Sequence, residues 1–160
     1  MSLTAEVELV QNTPLGALSL WAFTKEFWGQ NERKAGPKLP LTTIVLPMVF
    51  HEETLDAIRT RRFEGGLFTA LAQHRGLGLE LQERIESMLP QTMSSLNLCF
   101  ASGLLAFNKQ KGELQVLRKT EPFRMEGEST RRITSGAERL GYWCSTINTA
   151  RLCSLLNIRF

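Results

Sequence analysis

The fold of this chain is decided by residues 87–108, SMLPQTMSSLNLCFASGLLAFN, a run of twenty-two residues without a charged side chain. In a folded domain such a run must be buried. Proline and polar residues interrupt it seven times, whereas a membrane span needs about 20 predominantly apolar residues. Pro90 suits the first turn of a helix, and Gly103 suits its end. Apolar side chains recur at steps of three and four, on one helical face: Met93, Leu96, Phe100 and Leu104. The sequence therefore predicts a central buried helix.

A β-hairpin is predicted directly after this helix. Residues 104–107 are apolar, Asn108–Gly112 is a polar turn that ends in glycine, and Glu113–Arg118 alternates polar and apolar residues. An isolated hairpin is marginal in water, so we expect the face with Leu114 and Val116 to pack against helices. A helix that leads straight into a hairpin is the outline of a winged helix. The fold class that we predict is mainly α, a multi-helix domain with a small winged-helix-like hairpin.

The size and composition of the chain indicate one globular domain over residues 1–160. The chain is 42% hydrophobic and 22% charged, which is typical of a folded rather than a disordered protein. No charged segment followed by an apolar one opens the sequence, so nothing favours export. Cys99, Cys144 and Cys153 lie in apolar settings and are expected to be reduced thiols of a cytoplasmic protein.

Further buried helices are predicted on both sides of the central run. Asn12 or Thr13 can cap a helix that has Pro14 in its first turn and apolar residues on nearly every side. Leu39–Phe50 is a second uncharged run, in which Pro47 predicts a kink or a restart near Leu46. Ser129 is expected to cap a last long helix with one apolar face, which is formed by Ile133, Ala137, Leu140, Trp143 and Cys144. Asn148 or Thr149 is expected to cap a shorter helix after it.

Three segments have the composition of connections or arms. Residues 1–11 form a short polar segment that is predicted to be either a small helix or an N-terminal arm. Residues 29–38, GQNERKAGPK, have two glycines and a proline and no helical periodicity, so they predict a loop. Residues 119–129 are mixed in charge and are predicted to be a mobile loop.

The charge of +3 is unevenly distributed along the chain. Residues 1–58 contain four Lys or Arg against seven Asp or Glu, while residues 59–160 contain fifteen against nine. One basic cluster is Arg59, Arg61 and Arg62. It is either a solvated helix end, where arginine favours the negative pole of the helix dipole, or a docking patch for phosphate or acidic side chains.

A second basic group lies on and beside the predicted wing, where a phosphate backbone commonly binds. Its members are Lys109, Lys111, Arg118 and Lys119. They are either solvated surface residues or contacts to DNA. Trp21, Trp28 and Trp143 lie at helical spacing, so core packing is the first explanation for each. A tryptophan that proved to be exposed would indicate a protein interface, which makes Trp21 and Trp28 candidate contact residues.

The sequence lacks the motifs of common catalytic sites. There is no glycine-rich phosphate loop ending in Gly-Lys-Ser/Thr and no Gly-x-Ser-x-Gly. His51-Glu52 starts like a zinc-protease motif, but the second histidine that the motif requires four residues later is replaced by Leu55. The other histidine, His74, lies in a different segment. We expect no catalytic residue, no metal and no cofactor, and therefore no enzyme.

Four segments, in order along the chain, together resemble a known family. They are Asn12–Ala17 with Trp21 and Phe23, Leu39–Leu41 with Val45–Met48 and His51, the central segment from Arg84 through Pro90 to Gly112–Leu114, and Ala137–Trp143 with Leu155–Arg159. This pattern is similar to the middle component of three-component ABC ATPase (ABC-3C) systems, as in Lamassu-type anti-phage defence. The chain differs from the family at its end, where Asn157 and Phe160 replace a glycine-containing turn closed by proline.

The resemblance implies a non-enzymatic subunit that bridges two partners. One is an SMC-like ABC ATPase with a coiled coil, and the other is an effector, commonly a nuclease. The subunit would restrain the effector until the ATPase senses foreign DNA. The alternative is a free-standing winged-helix DNA-binding adaptor. The residues disfavour it, because the helix before the hairpin offers mainly serines, Asn97 and Gln91 to base edges.

Overall fold

Helices and one hairpin make up the part of the chain that the computed structural model describes, residues 12–30, 35–60, 80–122 and 126–160. The helices are α1 (Thr13–Gln30), α2 (Val45–Val49), α3 (Glu52–Thr60), α4 (Leu81–Ala101), α5 (Glu128–Ser145) and α6 (Thr149–Leu156), with a 3₁₀ helix, Leu39–Ile44, before α2. Strands β1 (Leu105–Asn108) and β2 (Glu113–Val116) form the antiparallel hairpin. The predicted mainly helical fold with a small hairpin is confirmed. The predicted arm at residues 1–11, together with Arg61, Arg62 and His74, lies outside the described residues.

The first helix, α1, lies at the centre of the fold. The Asn12 side chain accepts a hydrogen bond from the Leu15 amide at 3.0 Å, which confirms the predicted cap. All ten residues from Leu15 to Thr24 are buried, as expected for a helix that is apolar on nearly every side. Helices α4 and α5 pack against it.

Small residues allow these helices to approach each other closely. A Cβ atom at Gly16 would lie 2.2 Å from Ser95 Oγ of α4, and Cys99 Sγ donates to the Ala17 carbonyl at 3.2 Å. On the other side of α1, a Cβ atom at Gly141 of α5 would lie 2.4 Å from the Phe23 carbonyl oxygen. Close backbone approach is thus observed at Gly16 and Ala17.

Helix α4 differs from the prediction in its start and in its buried face. It begins at Leu81, so Pro90 lies inside it rather than in its first turn. Pro90 and Glu86 are both exposed, and water can bond the Glu86 carbonyl that loses its amide donor. Leu96 is buried as predicted, but Met93 and Phe100 are half-buried and Leu104 follows the helix. The buried face is formed by Leu81, Ile85, Met88, Thr92, Ser95, Leu96 and Cys99.

Gly103 ends this helix as predicted. Its φ angle is +73°, a left-handed conformation that favours glycine. The Leu104 amide donates to the Cys99 carbonyl at 2.9 Å, and the Gly103 amide donates to the Phe100 carbonyl at 3.3 Å. This pair of hydrogen bonds is a Schellman motif, and it directs the chain into β1.

The hairpin packs on α1 and α4 through one face. Leu105 pairs with Val116 and Phe107 with Leu114, so these four side chains share that face. Leu114 is fully buried and Val116 is half-buried against the core, as predicted. The edge of β2 that faces away from β1 is covered by the segment before the 3₁₀ helix. The Leu114 amide donates to the Pro37 carbonyl of this segment at 3.0 Å.

Prolines and capping residues determine where the helices begin and end in two further segments, Leu39–Val49 and Glu128–Leu156. The 3₁₀ helix ends at Ile44 and α2 starts at Val45, which places Pro47 in a first turn that needs no amide donor.

Ser129 is not the cap of α5. The helix starts at Glu128, and its cap is Gly127, which has a φ of +120°. The predicted apolar face of α5 is buried. Asn148 caps α6 by accepting from the Arg151 amide at 2.8 Å.

Candidate interaction surfaces

The four basic residues of the wing are exposed, as a contact surface requires. Lys109 and Lys111 lie in the turn between the strands. The Asn108 side chain fixes this turn by accepting from the Gln110 amide at 3.0 Å and from the Lys111 amide at 3.2 Å. Lys38 Nζ donates to the Lys111 carbonyl at 2.6 Å and thereby ties the turn to the segment that covers β2. Both lysine ammonium groups are therefore presented on an ordered turn.

The segment that follows β2 is anchored to the core by Trp21. This side chain is 3% exposed, and its Nε1 donates to the Arg118 carbonyl at 2.7 Å. Lys25 Nζ lies 4.9 Å from the centroid of the ring. Trp21 is thus a core residue. Trp143 is buried as well, whereas Trp28 is half-buried at the C-terminal end of α1.

Arg59, the member of the first basic cluster that the structure describes, lies on a different part of the fold. Arg59 is exposed in the last turn of α3, which packs on α5. Beside it, Arg139 Nε donates to the Ile58 carbonyl at 3.0 Å. Burial, followed by the charge of Arg59, lowers the pKa of the Arg139 guanidinium. Arg59 therefore belongs to a positive region on the α3 and α5 side, and the hairpin carries the other one.

Helix α4, which precedes the wing, has no exposed Lys or Arg along its length. Its exposed positions instead include Glu83, Glu86, Ser94 and Asn97. Two carboxylates on this face repel a phosphate backbone, and glutamate pairs only with cytosine amino groups in a groove. Apart from Asn97, these exposed positions therefore offer few of the side chains that a recognition helix uses.

An apolar cleft that the sequence did not reveal lies between α4, the 3₁₀ helix and the C-terminal residues. Its volume is about 430 Å³, and it is lined by Leu39, Pro40, Thr43, Gln82, Ile85, Glu86, Leu89, Met93, Arg159 and Phe160. Leu89 is 42% exposed and Phe160 is 50% exposed. The Arg159 amide donates to Gln82 Oε1 at 2.9 Å and holds the C-terminal residues against α4. We call this the tail cleft. Because α4 continues through Pro90, residues on both sides of this proline, Leu89 and Met93, line the cleft together.

A smaller polar pocket of about 240 Å³ lies beside Trp21. It is lined by Leu18, Trp21, Ala22, Lys25, Glu121, Thr134 and Glu138. Partial burial raises the pKa of the Glu138 carboxyl, and the charges of Glu26 and Glu121 act in the same direction, while Lys25 opposes them. Across the described ranges, no three His, Cys, Asp or Glu side chains converge as a metal site would require.

Within the same ranges, every helix is too short or too polar to cross a lipid bilayer. The model of the family described as ABC-three component (ABC-3C) system Middle Component 3 matches residues 1–160. The chain belongs to this family. Comparison with curated proteins and with solved structures gave no match. As middle component 3 of a three-component system, the chain has protein partners. The winged-helix likeness of its hairpin stays a prediction.

Proposed function

We propose that the chain is a non-enzymatic, cytoplasmic subunit of an anti-phage defence complex of the Lamassu type. In this proposal it links an SMC-like ABC ATPase to an effector subunit of the nuclease type, and it restrains the effector until the ATPase senses DNA. The observation that carries the proposal is the match of the whole chain to the middle-component family.

Two surfaces support a linking role. The tail cleft exposes Leu89 and Phe160, large apolar side chains of the kind that partners cover. Arg59 lies on α3, an element that does not line this cleft. A subunit that bridges two proteins needs two such separate surfaces, one for each partner.

Co-expression of the tagged chain with the ATPase and the effector tests the proposal. We expect all three proteins to be recovered together, with one stoichiometry in the intact mass spectrum. Leu89→Lys should weaken recovery of one partner and Arg59→Glu should weaken recovery of the other. Ser94→Lys is the matched control, because Ser94 is exposed on α4 but does not line the tail cleft. Recovery of the wild-type chain alone would contradict the linking role.

A second candidate function is DNA binding by the wing, which the exposure of Lys109, Lys111, Arg118 and Lys119 favours. It predicts that the isolated chain binds duplex DNA with an affinity that falls steeply as salt increases. Lys109→Glu combined with Lys111→Glu should reduce both the affinity and the salt slope. Binding that is weak and unchanged in this double variant would leave the wing without a role in DNA contact.

A further inference from the structure

The tail cleft follows one face of α4. Gln82, Glu86, Leu89 and Met93 all line it, and they lie at steps of three and four along the helix. The helix rises about 16 Å, or three turns, between the first and the last of these residues. The 3₁₀ helix and the C-terminal residues complete the lining. The cleft is therefore a groove that is long enough for a helix of two to three turns.

The polar side chains that line the cleft are largely bonded within the chain. Thr43 Oγ1 donates to the Pro40 carbonyl at 2.6 Å, and Gln82 Nε2 donates to Glu86 Oε1 at 3.0 Å. Gln82 Oε1 accepts from the Arg159 amide at 2.9 Å. An extended segment in the cleft would lose water from its backbone amides and carbonyls and would gain few partners for them. A helix bonds its own backbone groups, so the cleft favours a helical occupant.

The volume of the cleft indicates how many side chains the occupant inserts. A cavity left by one large apolar side chain has a volume of about 150 Å³. The cleft, at about 430 Å³, therefore has room for about three. Three apolar side chains on one face of a helix occur at positions i, i+4 and i+7, which is the usual pattern of a helix bound in a groove. The same helix would cover Leu89 and Phe160, which are exposed at the cleft.

A positive charge at one end of the cleft indicates a further feature of the occupant. Arg159 is exposed, and among the described residues it forms no ion pair. Because its amide is bonded to Gln82, this residue lies at the end of the cleft where α4 begins. A carboxylate can pair with a guanidinium through two parallel hydrogen bonds. An occupant with an acidic residue at this end of its apolar stripe therefore fits best.

A second copy of this chain does not supply such a helix. Among the described residues, the exposed large apolar side chains are Leu89, Phe107, Leu117 and Phe160. Leu89 is the one that belongs to a helix, and it already lines the cleft. Two clefts placed face to face would leave both hollows unfilled, because each surface is concave.

We propose that the tail cleft binds an amphipathic helix of a partner subunit. Three apolar side chains of this helix fill the cleft, and a carboxylate at one end of the apolar stripe pairs with Arg159. This inference rests on the proposed function, because it names the form in which one partner binds.

Photo-cross-linking in the purified three-subunit complex tests the helix. The probe is p-benzoylphenylalanine, placed at Glu86 or at Leu89, both of which are exposed in the cleft. We expect both probes to label one segment of one partner, at residues three, four or seven positions apart. A probe at Ser94, which is exposed on α4 but does not line the cleft, is the control and should not label this segment.

A charge reversal tests the ion pair. Arg159→Glu should lower the affinity for the labelled partner about tenfold, because it places two carboxylates side by side. Arg131→Glu makes the same change at an exposed position of α5 that does not line the cleft, and it should change the affinity less than twofold. Equal affinities of the two variants would refute the pairing with Arg159.

A synthetic peptide with the sequence of the labelled segment separates a helix from an extended chain. Its helical circular dichroism should increase when it binds the free chain. Proline at a central position of the peptide that carries no cross-link should weaken binding at least tenfold, whereas alanine there should not, because proline interrupts a helix.

The outcomes distinguish the two proposals. If the complex assembles but neither cleft probe labels a partner, or if the labelled residues alternate with a period of two, the helix is wrong and the linking role stands. If the wild-type chain recovers no partner, both are wrong. Labelling of a second copy of this chain by the Leu89 probe would overturn the proposed partner helix.

Discussion

Substitution of Gly141 by alanine should destabilise the contact between α1 and α5. The new Cβ atom would lie 2.4 Å from the Phe23 carbonyl oxygen and 3.2 Å from its carbon. Ordinary van der Waals contact begins at 3.4 Å, so the helices must separate by about 1 Å. The obstacle is backbone, which cannot rotate away as a side chain would.

The magnitude follows from two opposing effects. Overpacking a close contact costs ~1–3 kcal/mol, and the upper end applies where backbone is the obstacle. Alanine has a helix propensity ~1 kcal/mol better than that of glycine, which offsets part of the cost. The net loss of unfolding free energy should be about 2 kcal/mol, which corresponds to a fall in Tm of about 4–8 °C for a chain of this size.

Gly29→Ala is the matched control, since it makes the same chemical change in α1. Its Cβ atom would meet no atom within 4 Å, so only the propensity gain of up to ~1 kcal/mol remains. Urea denaturation followed by circular dichroism measures both variants. We expect shifts of opposite sign. A Gly141→Ala variant as stable as wild type would show that α1 and α5 do not approach as closely as the geometry requires.

Four further predictions concern the Trp21 anchor, the end of α4 and two of the thiols. Trp21→Phe removes the hydrogen bond to the Arg118 carbonyl and should lower the unfolding free energy by ~1–2 kcal/mol. Relative to wild type, amide exchange should speed up more in β2 than in α5. Gly103→Ala places a side chain at a φ of +73° and should cost ~1 kcal/mol in the same denaturation assay, with Gly29→Ala again as the control. Burial raises the pKa of the Cys99 thiol to about 12 from its usual 9.0, so the native protein holds this proton more tightly than the unfolded chain does. Stability should therefore be independent of this group below pH 9.0 and should fall between pH 9.0 and about 12, and Cys99→Ser should flatten that fall in a series of urea titrations. In native protein at pH 8, a thiol reagent should modify half-buried Cys153 before Cys99, whereas equal rates would indicate that the α1–α4 contact opens readily.

Short sequence patterns correctly predicted helix ends that depend on residues close by in the chain. The predicted caps were Asn12 or Thr13 for one helix and Asn148 or Thr149 for another, and in each case the asparagine accepts a backbone amide. Gly103 was predicted to end the central helix, and it adopts the left-handed conformation that this end requires. These features are local because each depends on hydrogen bonds within about five residues.

Local signals failed where packing outweighs propensity. Pro90 was expected to start a helix, yet α4 continues through it from Leu81. The buried side chains on both sides of the proline, Ile85 and Leu96, stabilise a single helix against the core. Ser129 was predicted as a cap because serine is a common capping residue. Helix α5 instead starts at Glu128 with Gly127 as its cap, and the sequence pattern did not indicate this glycine.

The sequence by itself determined the family, the mainly helical class and the hairpin, because these depend on apolar periodicity, prolines and glycines in a fixed order. Only the tertiary structure decided which of the candidate residues are exposed and which segments lie side by side. Trp21 is a buried anchor of the segment that follows β2, the tail cleft joins residues more than one hundred positions apart, and Pro37 covers the edge of β2 that faces away from β1. The physical reason is that exposure and edge pairing are properties of segments brought together in space, which no local pattern of residues encodes.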